Sequence, residues 1–301
     1  MIVTDGSLFS SLSYNYERIH TARGSRPVLP KGYRNIRLEI SYDGREFFGY
    51  QYQPAQKTVQ EVLTNAWKTL NREQVLLFGC SRLDSGVSAS HFVLNLYSQT
   101  TLNCERIVRG LNGVLQTVFR APIAVYSCED APANFHARYD TVGKHYRYLI
   151  WHGRGSHALL APHCWQFRSC ESPKNLPNIL AEFEGTHDFS AFRAQNCQSS
   201  TTERTIRRAD CWNHPRHPEL TVFDFWGDAF LKNMIRNIVG TALDIATKKL
   251  PTDTISRAFE HGNRDAVGQC APGHALTLER VYYDVEKYRA DSDSGTREFF
   301  S

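Results

Sequence analysis

No run of apolar residues in this 301-residue chain approaches the ~20 that a helix needs to cross the hydrocarbon core of a bilayer, so no membrane partner is expected. A dominant charge is lacking too: 35 lysines and arginines face 31 aspartates and glutamates, for a formal net charge of +4. That balance permits a nucleic-acid partner without requiring one, and local clusters must supply any electrostatic footprint. None of the eight cysteines, at 80, 104, 128, 164, 170, 197, 211 and 270, stands in Cys-x-x-Cys spacing. The zinc and redox motifs of that spacing are thereby excluded, and reduced, mostly buried thiols are the expectation. His214 and His217 are separated by Pro215 and followed by Pro218, which makes a loop rather than a ligand pair, so no metal is expected. There is no exact internal repeat. The first 34 residues have no continuous apolar core of the kind a secretory signal carries; Arg18, Arg23, Arg26, Lys31 and Arg34 against Asp5 and Glu17 suggest a mobile basic arm.

With 41% hydrophobic and 22% charged residues, the composition is that of an ordinary globular protein, long enough for one large or two ordinary domains. Asn35 to Tyr42 alternates strictly, which places Ile36, Leu38, Ile40 and Tyr42 on one face of a half-buried strand. Thr58 and Glu61 have the spacing of a capping box, and Val59, Val62, Leu63, Ala66, Trp67 and Leu70 follow at helical intervals. Further strands are predicted at 75–78, 92–97, 123–126, 145–151, 220–226 and 280–285. Helices are predicted at 105–115, 176–183, 229–248 and 255–260, and a frayed polar end from about Tyr288. Strands and helices interspersed in this way suggest α+β halves.

The segment Ser81-Arg82-Leu83-Asp84-Ser85-Gly86-Val87 follows the apolar run Val75 to Phe78. An arginine and an aspartate at a strand exit can be presented to a ligand, with Arg82 holding Asp84 ionised. The same pattern also closes ordinary turns. Four more segments accompany it in order: Ser41-Tyr42-Asp43-Gly44; Phe48-Gly49-Tyr50-Gln51; Phe135-His136-Ala137-Arg138-Tyr139 with Lys144-His145-Tyr146-Arg147-Tyr148; and Asn233-Met234-Ile235-Arg236-Asn237-Ile238-Val239-Gly240.

This order and spacing resemble the tRNA pseudouridine synthase A family over about residues 35 to 288. The resemblance implies an α+β fold of two ferredoxin-like (RRM-like) halves, at 35–134 and 135–288, flanked by the arm at 1–34 and a tail at 289–301. The halves would share a joined, mostly antiparallel sheet flanked by helices, with a central RNA-binding cleft. It also implies isomerisation of uridine in tRNA, in the anticodon stem-loop at about positions 38 to 40, by a homodimer; the cytoplasm is the default compartment, with an organelle left open by the basic arm.

That isomerisation breaks the bond from N1 to the ribose C1′ and rejoins the base through C5. It needs a carboxylate, a wall for the loose base and a cation, but no cofactor. By the resemblance Asp84 is the carboxylate and Tyr146 stacks on the base. Arg236 pairs with Asp84, and Arg82 helps to turn the uridine out of its stem. Without the family pattern, Tyr146 reads first as a core tyrosine sharing a face with Tyr148 and Ile150, and Arg236 with Lys232 as an ordinary solvated basic face. RNA contacts would come from Gln51, Phe135, His136, Ala137, Arg138, Tyr139, Lys144, Arg147, Arg193, Gln198 and Lys232, with the Arg204, Arg207 and Arg208 group.

The chain departs from the family pattern Gly-Arg-Thr-Asp-Ala-Gly-Val-His at Ser81, Leu83, Ser85 and Ser88, and has Tyr50 where tryptophan is usual. Leu83 removes a hydroxyl beside Asp84, and Ser88 an imidazole. An active synthase and a catalytically weakened RNA-binding or RNA-folding protein therefore both remain open.

Overall fold

The computed structural model describes residues 26–167, 174–195, 197 and 199–295. Gln198, most of the basic arm and residues 296–301 lie outside the described residues. Contacts divide the chain into two compact units. One comprises the chain up to Leu83 with His91–Asp140; the other comprises Asp84–Ser90 with Thr141 onward. Asp84 therefore groups with the residues after 140 and not with the strand that precedes it.

In the first unit, the alternation of Ile36, Leu38, Ile40 and Tyr42 buries all four side chains along β1 (Arg34–Tyr42). Thr58 caps α1 (Val59–Asn71): its hydroxyl accepts the Glu61 N–H at 3.3 Å, and the Glu61 carboxylate accepts the Thr58 N–H in return. That reciprocal pair is the capping box read from the spacing. The short β2 (Leu77–Gly79) and the longer β3 (Ser88–Ser98) follow, then α2 (Cys104–Thr117), capped by Asn103, and β4 (Ile123–Asp130). The sheet runs β4-β1-β3, with β2 antiparallel to β3, and α2 buries Ile107, Leu111 and Leu115.

The second unit is built on β5 (Gly143–Trp151), which is buried on both faces except at Leu149. The elements β6 (Trp165–Gln166), α3 (Leu176–Ala181), β7 (Gly185–Asp188), β8 (Glu203–His214) and β9 (His217–Gly227) come next. They are followed by α4 (Met234–Ala246), α5 (Thr254–His261), β10 (Leu276–Tyr282) and α6 (Val285–Ser294). Strands β10-β5-β9-β8-β7 are antiparallel neighbours; β6 runs parallel to β5, and Ser88 and Ala89 pair in parallel with Thr277 and Leu278. The architecture is α+β, as the interspersed strands and helices suggest, with mostly antiparallel sheet flanked by helices, as the resemblance implies.

Three local expectations change. The helix predicted from Ala229 starts at Met234, because Asn233 adopts a left-handed conformation (φ +63°) that no preceding helical turn tolerates. Lys232 is therefore in the loop before α4 and not one turn below Arg236. Strands β6, β7 and β8 escape the periodicity; the last is a twelve-residue strand that contains Arg204, Arg207 and Arg208. The polar tail is helical through Ser294, because Asp284 accepts the N–H groups of Glu286 and Lys287 at 2.8 and 3.0 Å and Tyr288 is buried.

Candidate active site

Asp84 opens a turn in which the Val87 N–H donates to the Asp84 carbonyl at 3.2 Å. Gly86, third in that turn, has φ +81°, the left-handed value a type II turn needs and a Cβ resists. The next carbonyl, Ser85 C=O, lies so close to Gly273 that a Cβ there would stand 2.5 Å from it. The aspartate is thus carried on a tight loop seated on the bare backbone of the segment before β10.

Arg236, in the first turn of α4, faces this loop. Its Nη1 stands 3.7 Å from Asp84 Oδ2 and donates to Asn233 Oδ1 at 3.0 Å, while Nε donates to the Ala271 carbonyl at 2.6 Å. These bonds fix the plane of the guanidinium. The left-handed turn at Asn233 directs its own N–H to the Asp84 carboxylate. Burial pushes the Asp84 carboxyl above its ordinary value; Arg236, then Lys232 and the Asn233 N–H, oppose that shift without cancelling it. The product is a carboxylate of increased basicity with a fixed cation beside it, a form suited to attack or proton transfer.

Tyr146 and Tyr148 share one face of β5. Tyr146 is 4% exposed, with its ring edge-to-face on Phe230 at 5.2 Å. A base can stack on it only if a neighbour such as Phe230 yields. Tyr148 donates to the Pro272 carbonyl at 2.9 Å, one residue from the carbonyl that holds Arg236. Burial raises its hydroxyl well above the ordinary tyrosine range, with Arg236 opposing.

The opposite face of β5 overturns one sequence expectation. Arg147 is buried and donates to Asp224 Oδ1 at 2.8 Å, an oxygen shared with His145 Nε2 at 2.8 Å, and Trp212 Nε1 donates to Oδ2 at 2.9 Å. A guanidinium committed to a buried carboxylate is not presented to phosphate, so Arg147 leaves the set of RNA contacts. Lys144 is buried as well. Arg207 donates to Ser292 and Asp293, and Arg208 to Asp210, so both are engaged within the unit. Lys232 is exposed and Arg193 half-buried.

In the first unit, Arg82, Arg138 and Tyr139 are exposed, and Gln51 and Phe135 half-buried. His136 and Ala137 are buried. His136 is structural: its N–H donates to Asp140 Oδ2 at 2.8 Å, its Nδ1 accepts the Arg138 N–H at 3.1 Å, and its ring lies 4.3 Å from that of Tyr139. Ala137 donates its N–H to Asn95 Oδ1 at 2.9 Å. These bonds hold the loop that carries Arg138 and Tyr139 outward.

Three of the departures from the family pattern are absorbed by packing. Leu83 and Ser88 are buried, and Tyr50 stacks on Phe92 with ring centres 4.4 Å apart, against Gly79, where a Cβ would come within 2.6 Å of the ring. Sequence reasoning missed Asn233 as a partner of Asp84 and the Ala271 and Pro272 carbonyls as anchors. The only signal was Asn233 three residues before Arg236, since backbone partners leave no side-chain signature. A cavity of about 690 Å³ adjoins the site, lined by Asn233, Asn237, Arg264, Gln269 and Cys270 among others.

A family model described as tRNA pseudouridine synthase matches residues 40–140 and 179–284, spans that contain Asp84 and Arg236 and leave Tyr146 between them. A tRNA pseudouridine synthase A of Acetivibrio thermocellus is 36% identical over 250 residues, 83% of this chain and 100% of that protein. Another, of Citrifermentans bemidjiense, is 35% identical over 83% of this chain and 98% of its own length. A solved archaeal box H/ACA sRNP Nop10-Cbf5 complex aligns with a TM-score of 0.32 at 15% identity, over 86% of this chain and 56% of that one. The chain belongs to the tRNA pseudouridine synthase A family, whose members are isomerases.

Proposed function

We propose that this protein converts uridine to pseudouridine in tRNA, in the anticodon stem-loop at about positions 38 to 40, with Asp84 as the catalytic carboxylate. The observation that carries the proposal is Arg236 Nη1 at 3.7 Å from a desolvated Asp84, on a rigid turn. Burial raises the basicity of Asp84, and Arg236 compensates its charge while the glycosidic bond is broken and remade. Tyr146 supplies the wall for the detached uracil once Phe230 yields. Arg82, exposed two residues before Asp84, helps to turn the uridine out of its stem.

Phosphate contacts come from the exposed Arg138 and Lys232 and from Arg193, with Gln51, Phe135, Tyr139 and Gln198 as further contacts to the folded RNA. The active protein is a cytoplasmic homodimer. No cofactor enters the reaction, because the base is rejoined to the same sugar and nothing is oxidised or consumed.

The test is release of tritium from C5 of uridine in an unmodified tRNA transcript, without added cofactor, beside an Asp84→Ala control. Release that requires Asp84 is the expected result. Salt-sensitive tRNA binding with no release would refute the enzymatic assignment and favour an RNA-binding or RNA-folding role.

A further inference from the structure

The first unit carries a pair of thiols that the proposed reaction does not use. Cys104 is the first residue of α2, just after the Asn103 cap, and Cys128 lies near the end of β4. Cys128 pairs across the ladder with the buried Leu38. Directly opposed residues of antiparallel strands project to the same face, so the Cys128 side chain points to the core side, where α2 packs on β4. Cys104 stands near enough to raise the Cys128 thiol's pKa, and Arg34 Nη2 reaches the Cys104 sulfur at 4.0 Å. Neither is sealed from solvent. Both are half-buried and line a cavity of about 440 Å³ together with Glu105, Val108, Arg109, Tyr126 and Ser127.

We propose that Cys104 and Cys128 are a redox-responsive dithiol, oxidised by peroxide to an intramolecular disulfide that clamps the first turn of α2 to β4. Cys104, at the head of a helix and beside a guanidinium, is placed to react first. Its thiolate attacks hydrogen peroxide, forming a sulfenic acid and releasing hydroxide. The Cys128 sulfur then attacks the sulfenyl sulfur; the S–S bond forms, the S–O bond breaks, and the Cys128 proton leaves with the hydroxyl as water. One peroxide is reduced to two waters for each dithiol oxidised. Burial, then the Cys104 contact, push the Cys128 thiol up, with Arg34 opposing, so Cys128 keeps its proton until a sulfenic acid stands beside it.

Trypsin separates the two cysteines into peptides 83–106 and 121–138, each containing no other cysteine. The full-length protein is treated with equimolar hydrogen peroxide, alkylated and digested without reduction. Expected is one cross-linked species joining these peptides, lighter than their sum by two hydrogens. It should disappear in Cys104→Ser and Cys128→Ser and after dithiothreitol. Thermal unfolding of the oxidised wild type should rise by on the order of 5 °C, with no rise in either variant. Two free thiols after treatment, separate sulfinic acids, or a bridge from either cysteine to another one would each overturn the proposal.

Discussion

Replacing Asp224 by alanine tests whether the buried cluster behind Tyr146 holds the second unit together. The carboxylate is fully buried and accepts from His145, Arg147 and Trp212, all of them buried. Its removal leaves a guanidinium and an indole N–H in a dry interior, a situation that costs about 3–5 kcal/mol. Trp212→Phe removes one neutral donor, worth about 1 kcal/mol, and some packing in the cluster with Trp151, Leu220 and Val222, but leaves the carboxylate two partners, so it should cost less than Asp224→Ala. Against a total stability of roughly 5–15 kcal/mol, the first loss is plain in a urea titration and the second modest.

The pH dependence follows from the same bonds. Burial pushes the Asp224 carboxyl up, but the bonds from His145 and Arg147 outweigh it and hold the group below 3.8 in the folded state. Its contribution is then fully present above 3.8 and fades as pH falls through the lower folded value. The gap between wild type and Asp224→Ala should be widest near neutrality and close in acid. A loss below about 1 kcal/mol for Asp224→Ala, or one smaller than that of Trp212→Phe, would refute the reasoning.

Asp84→Asn should abolish tritium release yet raise the unfolding temperature at neutral pH. Burial lifts the folded carboxyl above 3.8, so stability falls as pH rises through that interval and the neutral amide escapes the cost; a variant less stable than wild type there contradicts this. Gly273→Ala would bring a Cβ to 2.5 Å from the Ser85 carbonyl, so it should displace the Asp84 turn, lower kcat and destabilise by about 1–3 kcal/mol in denaturant titrations. Arg236→Ala should move the acidic limb of the kcat/KM profile to higher pH, because it removes the main cation opposing the upward shift of Asp84. Tyr146→Phe should slow turnover with tRNA affinity nearly unchanged in a filter-binding titration, since stacking needs the ring and not the hydroxyl.

The sequence by itself determined what depends on near neighbours in the chain. The alternation in β1, the Thr58–Glu61 box, the apolar stripe of α1 and the left-handed glycine after Asp84 are all set within a few residues, by backbone sterics and by which face is apolar. The family pattern, likewise carried in the order of short segments, pointed to Asp84, Tyr146 and Arg236. Tertiary structure decided what each charge meets. Arg147 and Arg236 are both arginines in family-like segments, yet one is neutralised by Asp224 inside the sheet while the other is held by Ala271 and Asn233 to face Asp84. It also decided where α4 begins, since the left-handed turn at Asn233 is held by an N–H bond to Asp84, a residue remote in sequence. The physical reason is range: propensity and periodicity act over a turn or two, whereas a buried charge is fixed by whichever partner the folded chain brings within hydrogen-bond distance.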